Sequence, residues 1–226
     1  YDFMTTFEGL SGALENADLS IVTLETLAAG REKGYGNYNT TPQILDALRA
    51  VGVNFVSLAT ERALDKGYDG LDITASELTS RSIGFAGVYP DGTNTGAAMA
   101  NIDGVQVAVL AYTYGLSDEG RERTRDDSRG VVAMMDSQRV VRDITQARVD
   151  GANIVVVLPH WGTKNRAQTP DTVQTMARKM AQAGADVIFG THPNVAQGVE
   201  RLQTVRSDGL TYETVVCYSL GCLLTD

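Results

Sequence analysis

The sequence predicts an α/β fold built around a largely parallel sheet. One pattern recurs four times along the 226 residues: a helical stretch ends, a small residue and then an Asn or Asp follow, and a short apolar run begins. A Gly or Asn at the end of a helix favours the left-handed backbone that terminates it. The apolar runs are β-branched and lack polar alternation, which is typical of strands covered on both faces. The four junctions are Asn16–Leu19, Gly52–Phe55, Gly151–Ile154 and Gly184–Val187.

The elements of this pattern can be placed in order. The predicted strands are 21–22, 55–56, 154–158 and 187–189. The predicted helices begin at Thr41-Pro42, Asp136 and Thr169-Pro170, because Thr and Asp cap helices and Pro is favoured at the first helical position. Strands that alternate with helices indicate βα units and parallel pairing.

Three regions depart from the alternation. Residues 97–112 predict a β-hairpin, because Asp103-Gly104 is a strong two-residue turn signal between apolar runs. Residues 195–218 predict more β-structure, so we expect an additional antiparallel sheet. Residues 115–130 carry many charges of both signs and predict a solvated surface loop.

Composition narrows the possible functions. The hydrophobic content of 43% allows a sizeable core. The net charge of −9 argues against a nucleic-acid partner and against docking on anionic lipid, because both need a basic face. No apolar run reaches the roughly 20 residues of a membrane span. The two cysteines, Cys217 and Cys222, form no disulfide framework, and Cys217 is expected to be a buried thiol.

Candidate functional residues follow the predicted strands at nearly constant spacing. Counting seven residues from the Asn or Asp of the first three junctions, and six from that of the fourth, gives Glu25, Glu61, His160 and His192. In an open α/β sheet, ligands bind outside the carboxyl ends of the strands. Carboxylates and imidazoles bind divalent cations. The sequence therefore predicts that these groups meet at one edge of the sheet, as candidate metal ligands.

Short motifs in a fixed order resemble a known family. They are Thr23-Leu24-Glu25-Thr26, Ser57-Leu58-Ala59, Ala63-Leu64-Asp65-Lys66-Gly67, His160-Trp161-Gly162, Gly190-Thr191-His192-Pro193 and Tyr218-Ser219-Leu220-Gly221. The set resembles the CapA-type proteins of bacterial poly-γ-glutamate capsule synthesis, within the calcineurin-like metallophosphoesterase superfamily. The resemblance implies a single domain over 1–226 that lacks the family's N-terminal first strand. It also implies a metallophosphoesterase-like, four-layer α/β/β/α sandwich with two packed mixed sheets and a metal site at their edge.

The chain departs from the family pattern at three places. The family's Asn-Asn-His stretch is Thr60-Glu61-Arg62 here, its second His in His-Pro-His is Asn194, and its Asn after Tyr-Ser-Leu-Gly is Cys222. Glu25, His160 and His192 match the family's motifs and carry over as metal ligands. Glu61 and Asn194 are then substitute oxygen ligands. Arg62 either takes the place of a lost cation or holds an anionic oxygen of the substrate.

Two functions follow from this resemblance. In the first, the protein is a metal-dependent hydrolase or transferase that acts on a phosphate ester or a γ-glutamyl polymer. Mn, Zn or Fe is the cofactor, and His160, His192 and Arg62 are the catalytic residues. In the second, it is a non-catalytic module for polymer binding or capsule assembly on a degenerate scaffold. The resemblance further implies an extracytoplasmic location, membrane anchoring through a segment absent from this chain, and capsule-synthesis membrane partners.

Two other enzyme classes lack their motifs. A serine hydrolase of the α/β type would carry a Gly-x-Ser-x-Gly elbow, and a dinucleotide-binding fold would carry Gly-x-Gly-x-x-Gly before a helix. Neither pattern occurs in the chain.

Overall fold

The repeated strand–helix pattern forms two β-sheets in the computed structural model, which describes residues 3–14, 16–30, 38–93, 96–206 and 208–224. Each sheet belongs to its own compact unit. Unit 1 comprises Tyr1–Asn94 and Gly115–Ala133, and unit 2 comprises Thr95–Tyr114 and Met134–Asp226. The α/β class and the two sheets are therefore confirmed, while the single domain inferred from the resemblance stays a prediction.

Unit 1 contains a small parallel sheet with the order β1-β2-β3. Its strands are β1 (Ile21–Thr23), β2 (Phe55–Ser57) and β3 (Gly84–Ala86). Its helices are α1 (Met4–Phe7), α2 (Ser11–Leu14), α3 (Gln43–Ala50), α4 (Gly67–Ser80) and α5 (Asp118–Thr124), with a 3₁₀ turn at Glu8–Leu10. The largest fully buried side chains in this unit are Leu27, Leu45, Leu58, Leu64, Leu71 and Leu78.

Unit 2 contains a six-stranded mixed sheet with the order β4-β5-β6-β7-β9-β8. Its strands are β4 (Ala98–Ile102), β5 (Val105–Thr113), β6 (Ile154–His160), β7 (Val187–Phe189), β8 (Val199–Val205) and β9 (Thr211–Cys217). Its helices are α6 (Ser137–Val149) and α7 (Asp171–Ala183). The four central strands run parallel, and β4 and β8 pair antiparallel at the two edges.

A side chain explains why an Asn or Asp recurs before the strands. At three junctions its oxygen accepts a hydrogen bond from a backbone N–H at or next to the start of the neighbouring strand. The pairs are Asn54 with Ser20 at 2.9 Å, Asn153 with Gln106 at 2.8 Å and Asp186 with Val155 at 2.8 Å. The repeated residue thus joins β2 to β1, β6 to β5, and β7 to β6, where the ladder bonds begin.

The hairpin prediction for 97–112 is confirmed by β4 and β5, and residues 195–218 contain β8 and β9. The expected additional antiparallel sheet is wrong. Both antiparallel pairs extend the sheet that contains β6 and β7, while β1 and β2 belong to the other sheet. Of the two sheets, only the larger is mixed among the described residues.

The segment 115–130 is largely solvent-exposed as expected, but it is not a plain loop, because it contains α5. Ser117 caps α5 there by accepting a hydrogen bond from the Gly120 N–H at 2.9 Å. Three successive residues, Arg125, Asp126 and Asp127, then adopt left-handed backbone angles. The Asp127 carboxylate holds this turn by accepting hydrogen bonds from the backbone N–H groups of Val131 and Val132.

The predicted helix starts lie within two residues of the observed ones. Asp136 caps α6 as predicted, since its carboxylate accepts hydrogen bonds from two backbone N–H groups. Pro42 and Pro170 precede α3 and α7 instead of starting them. Both cysteines are free, and Cys217 is half-buried, not fully buried as expected. In the described part of the chain, no helix combines the length and the apolarity that a membrane crossing needs.

Candidate functional site

The structure places each of the four counted residues at or just after the carboxyl end of a strand. Glu25 lies two residues past β1 and Glu61 four residues past β2, whereas His160 ends β6 and His192 lies three residues past β7. These strands belong to two sheets, so the expectation of one common sheet edge is wrong. Unit 1 holds Glu25, Glu61 and Arg62, and unit 2 holds His160, His192 and Asn194. The convergence of the whole set stays a prediction.

In unit 2, the two histidines are in direct contact. The Nε2 atom of His160 lies 3.2 Å from the Nδ1 atom of His192. The ring centroids are 4.8 Å apart and the planes are inclined by 67°. Because His160 is 1% exposed and His192 4% exposed, water cannot freely solvate the two nitrogens. The facing nitrogens must therefore share one proton, or direct both lone pairs at a cation.

Strand pairing sets the position of His160. His160 is the register partner of Thr113 on β5, and its carbonyl oxygen accepts a hydrogen bond of 3.0 Å from the Tyr114 N–H. The other ring nitrogen, Nδ1, lies 3.1 Å from Thr191 Oγ1. This contact restricts the orientation of the ring. The Thr191 hydroxyl can donate or accept here, and the tautomer with a proton on Nδ1 leaves Nε2 as a lone pair.

The turn that carries His192 is fixed by close packing. A Cβ atom on Gly190 would lie 2.1 Å from the Tyr218 carbonyl oxygen and 2.3 Å from Trp161 Nε1. The buried Trp161 indole donates a hydrogen bond of 2.9 Å to that same oxygen. His192 itself adopts φ +95°, a conformation that L-residues rarely take. Packing between Trp161 and Gly190 thus supports an unusual backbone at the histidine.

A tyrosine that the sequence reasoning missed completes the group. The ring centroid of Tyr114 lies 4.8 Å from that of His192 and 6.4 Å from that of His160. Tyr114 is 49% exposed, in contrast to the two histidines. It follows the carboxyl end of β5, so the strand-end argument would have found it had β5 been recognised as a parallel neighbour of β6.

The separation of the two histidine nitrogens would allow both to bind one divalent cation. Two imidazole nitrogens bound to one metal at about 2.0–2.1 Å and separated by this distance would subtend roughly 100°, close to tetrahedral. Imidazole is a favoured ligand of Zn and Fe. Among the described residues, no group of three or more His, Cys, Asp or Glu side chains is placed to hold a metal ion. Asn194, the predicted oxygen ligand, is exposed and has φ +61°.

In unit 1, Arg62 is held on three sides. Its Nη1 donates to Asp65 Oδ2 at 3.2 Å, and its Nε lies 3.4 Å from Glu61 Oε1. Its Cζ lies 3.8 Å from the centroid of the Tyr38 ring. Burial alone would lower the pKa of the Arg62 guanidinium, but Asp65, Tyr38 and Glu61 raise it above its ordinary value. The guanidinium is therefore a fixed and permanent positive charge.

Asp65 supports Arg62 from a buried position. The Asp65 side chain is fully buried, and its Oδ1 accepts a hydrogen bond from the Ser117 hydroxyl. Burial raises the pKa of the Asp65 carboxyl, and the opposing effects of Ser117 and Arg62 offset this only in part. Asp65 belongs to the Ala63–Gly67 motif, but the motif alone indicates no role for it. Nothing in the neighbouring sequence indicates that this side chain is buried beside Arg62.

The whole sequence matches one family. The model of the family described as "Bacterial capsule synthesis protein PGA_cap" matches residues 1–226. The chain belongs to this family. The resemblance drawn from the short motifs is thereby confirmed.

Three relatives show how much of the family's proteins this chain represents. The PGA biosynthesis protein CapA of Bacillus subtilis (strain 168) is 28% identical over 189 residues, covering 83% of this chain and 46% of the relative. The capsule biosynthesis protein CapA of Bacillus anthracis is 26% identical over 190 residues, covering 81% and 43%. A probable polyglutamine synthesis accessory protein of Mycobacterium tuberculosis (strain CDC 1551 / Oshkosh) is 26% identical over 191 residues, covering 78% and 50%. The chain spans about half the length of the curated relatives it matches.

One solved structure supports the fold over nearly the whole chain. The sulfate thiohydrolase SoxB of Thermus thermophilus, in complex with glycerol, matches with a TM-score of 0.54 and 14% identity, covering 98% of this chain and 37% of that one. The calcineurin-like phosphoesterase YfkN of Bacillus subtilis has a TM-score of 0.47 and 18% identity, covering 71% and 50%. The fold of this PGA_cap chain is accordingly similar to that of the matching part of SoxB.

Proposed function

We propose that this chain is the part of a capsule biosynthesis protein that uses a divalent cation to hydrolyse or transfer a phosphate ester or a γ-glutamyl group. The observation that carries the proposal is the buried contact of 3.2 Å between His160 Nε2 and His192 Nδ1. Two buried nitrogen lone pairs that face each other repel and are not solvated. A proton or a cation between them removes this cost.

The residues of the chain have distinct roles in this proposal. His160 Nε2 and His192 Nδ1 would hold the cation, and Thr191 would keep a proton on His160 Nδ1. When bound, the cation supplies Lewis-acid polarisation of a substrate oxygen and activation of water. Within unit 1, Arg62 is fixed by Asp65 and Tyr38, and its guanidinium would bind an anionic group by charge-assisted hydrogen bonds.

The names of the relatives support the substrate class. The three relatives are named for PGA, capsule or polyglutamine synthesis. An anionic polymer is a substrate class that a bound cation can recognise even in a chain of net charge −9. The proposal includes an extracytoplasmic location with membrane anchoring. Fractionation of cells that express the full-length protein tests this location.

Metal content tests the centre. The full-length protein is incubated separately with Mn, Zn and Fe, desalted, and measured by elemental mass spectrometry. We expect one to two equivalents of one of these metals, and none in the double variant His160→Ala/His192→Ala. Thr191→Val removes only the hydroxyl beside His160, and should weaken metal affinity by about 10-fold without abolishing binding. If the wild type and the double variant bind the same number of metal ions per chain, the proposal is contradicted.

A second function is favoured by the surroundings of Arg62. Glu61, a predicted metal ligand, lies against the Arg62 guanidinium at 3.4 Å, so a positive charge already stands beside that carboxylate. This favours a polymer-binding or assembly module without turnover. Turnover of phosphodiester and γ-glutamyl substrates by the metal-loaded protein distinguishes the two functions. Metal binding without turnover of either substrate would support the module.

A further inference from the structure

The loop between β6 and α7 is tied to the segment that follows His192. The Asn165 N–H donates a hydrogen bond of 2.8 Å to the Pro193 carbonyl oxygen. The Gln197 amide donates to the carbonyl oxygen of Arg166 at 2.7 Å and accepts from the Thr169 hydroxyl at 3.1 Å. The loop thus has a defined position next to the turn that carries one of the two histidines.

The charge of this region differs from that of the chain. Residues 151–170 and 187–199 contain no Asp or Glu, whereas the whole chain has a net charge of −9. The first of these segments contains Lys164 and Arg166. Arg166 is exposed and Lys164 is half-buried. A local excess of positive charge therefore lies on an acidic protein, within a few residues of His160 in sequence.

A concave surface lies beside Arg166, and Lys164 precedes its lining in sequence. A cavity of about 600 Å³ is lined by residues 165–171, which include Arg166 and the side-chain amides of Asn165 and Gln168. Asp171, the first residue of α7, is the single carboxylate in that lining. The cavity is largely open to solvent, and its volume lies within the usual range of ligand sites. The lining therefore offers a guanidinium, amide donors and amide acceptors to a ligand.

We infer that this loop is a polymer subsite that binds a carboxylate and its neighbouring amide in a γ-linked glutamate chain through Arg166, Lys164 and the cavity amides. The inference rests on the proposed function, because it extends the same substrate class beyond the histidine centre. Each γ-glutamyl unit carries one carboxylate and one amide, which matches a lining with one guanidinium and two side-chain amides. Polyphosphate offers only acceptors, so it could pair with the guanidinium and the amide N–H groups but not with the amide oxygens, which water would continue to solvate.

Binding without metal tests the subsite. A fluorescein-labelled γ-linked glutamate decamer is titrated into the EDTA-treated full-length protein, and fluorescence anisotropy gives the Kd. We expect Lys164→Gln/Arg166→Gln to weaken binding by about 10-fold or more, because charge-assisted hydrogen bonds are lost. The matched control, Arg178→Gln/Lys179→Gln, removes the same charge from exposed positions of α7 and should change the Kd by less than about 2-fold. Asp171→Asn should strengthen binding, because it removes the carboxylate of the lining.

The two double variants distinguish a specific subsite from general attraction between opposite charges. If both double variants weaken binding of the decamer equally, the attraction is unspecific and the inference is overturned. An unchanged Kd in Lys164→Gln/Arg166→Gln would also overturn it. Inorganic polyphosphate that competes more strongly than the γ-linked decamer would overturn the ligand class. The same titration on His160→Ala/His192→Ala should give the wild-type Kd, so a failure of the metal proposal leaves this result unaffected.

Discussion

At the scale of single residues, the histidine pair combines burial with chemical specificity. His160 and His192 are among the most deeply buried polar side chains, yet each keeps a nitrogen directed at the other. A protein that needed only to fill this space could use apolar side chains at lower cost in desolvation. Three neighbouring residues restrict the rings further. Trp161 donates a hydrogen bond to the Tyr218 carbonyl oxygen, and Gly190 leaves no space for a larger side chain. Thr191 contacts His160 Nδ1. This combination is typical of a site that is shaped before its ligand binds.

Gly190 gives a residue-level prediction. A methyl group at this position would collide with the Tyr218 backbone and with the Trp161 indole, and would separate their hydrogen bond. We expect Gly190→Ala to reduce the free energy of unfolding by about 3 kcal/mol, as forced displacement in a packed interior does. Urea titration followed by circular dichroism measures this loss. The control is Gly198→Ala, where a Cβ would meet no atom within 4 Å. Equal stability of the two variants would show that the turn rearranges at little cost.

At the scale of elements, the start of β6 depends on one polar side chain, that of Asp186. Asp186 accepts hydrogen bonds from the Val155 N–H, from Arg148 and from Arg206. Arg148 also donates to the carbonyl oxygens of Gly184, at the end of α7, and of Ala152 and Asn153, before β6. The amino-terminal edge of the large sheet is therefore joined by charge-assisted hydrogen bonds, while the opposite edge presents the histidines. Structure and candidate function occupy opposite ends of the same strands.

This arrangement predicts a graded loss of stability along one edge. Asp186→Ala leaves two arginines and a backbone N–H without their acceptor, and should cost about 3 kcal/mol. Asn153→Ala removes one neutral acceptor, that of the Gln106 N–H, and should cost about 1 kcal/mol. The control is Asp150→Ala, which loses only an exposed contact with Gln146. Chemical unfolding of the three variants gives the order, and a loss for Asp150→Ala as large as that for Asp186→Ala would contradict it.

At the scale of the whole molecule, features that depend on the local sequence were predicted better than the long-range pairing of strands. The Asp103-Gly104 turn, the Asp136 cap and the strand-end positions of His160 and His192 depend on neighbouring residues, and all were predicted correctly. The distribution of the strands between the two sheets was not predicted, because β1 and β2 have the same local pattern as β6 and β7. For the same reason, three neighbours of the candidate residues were not predicted. Tyr114 lies beside the two histidines, Asp65 binds Arg62, and Ser117 binds Asp65. Their importance arises from strand order and burial, which no short motif encodes.

A whole-molecule prediction follows from the cation proposed for the histidine pair. A ligand that binds only the folded state at 100 times its Kd stabilises that state by about 2.7 kcal/mol. For a chain of this length, such a gain raises the Tm by roughly 5–10 °C. Calorimetry of the metal-loaded protein before and after EDTA should therefore show a fall of this size, and no fall in His160→Ala/His192→Ala. A fall that persists in the double variant would place the stabilising ion elsewhere. Since thermal stability does not depend on turnover, this measurement reports on the centre even if the chain only binds its polymer.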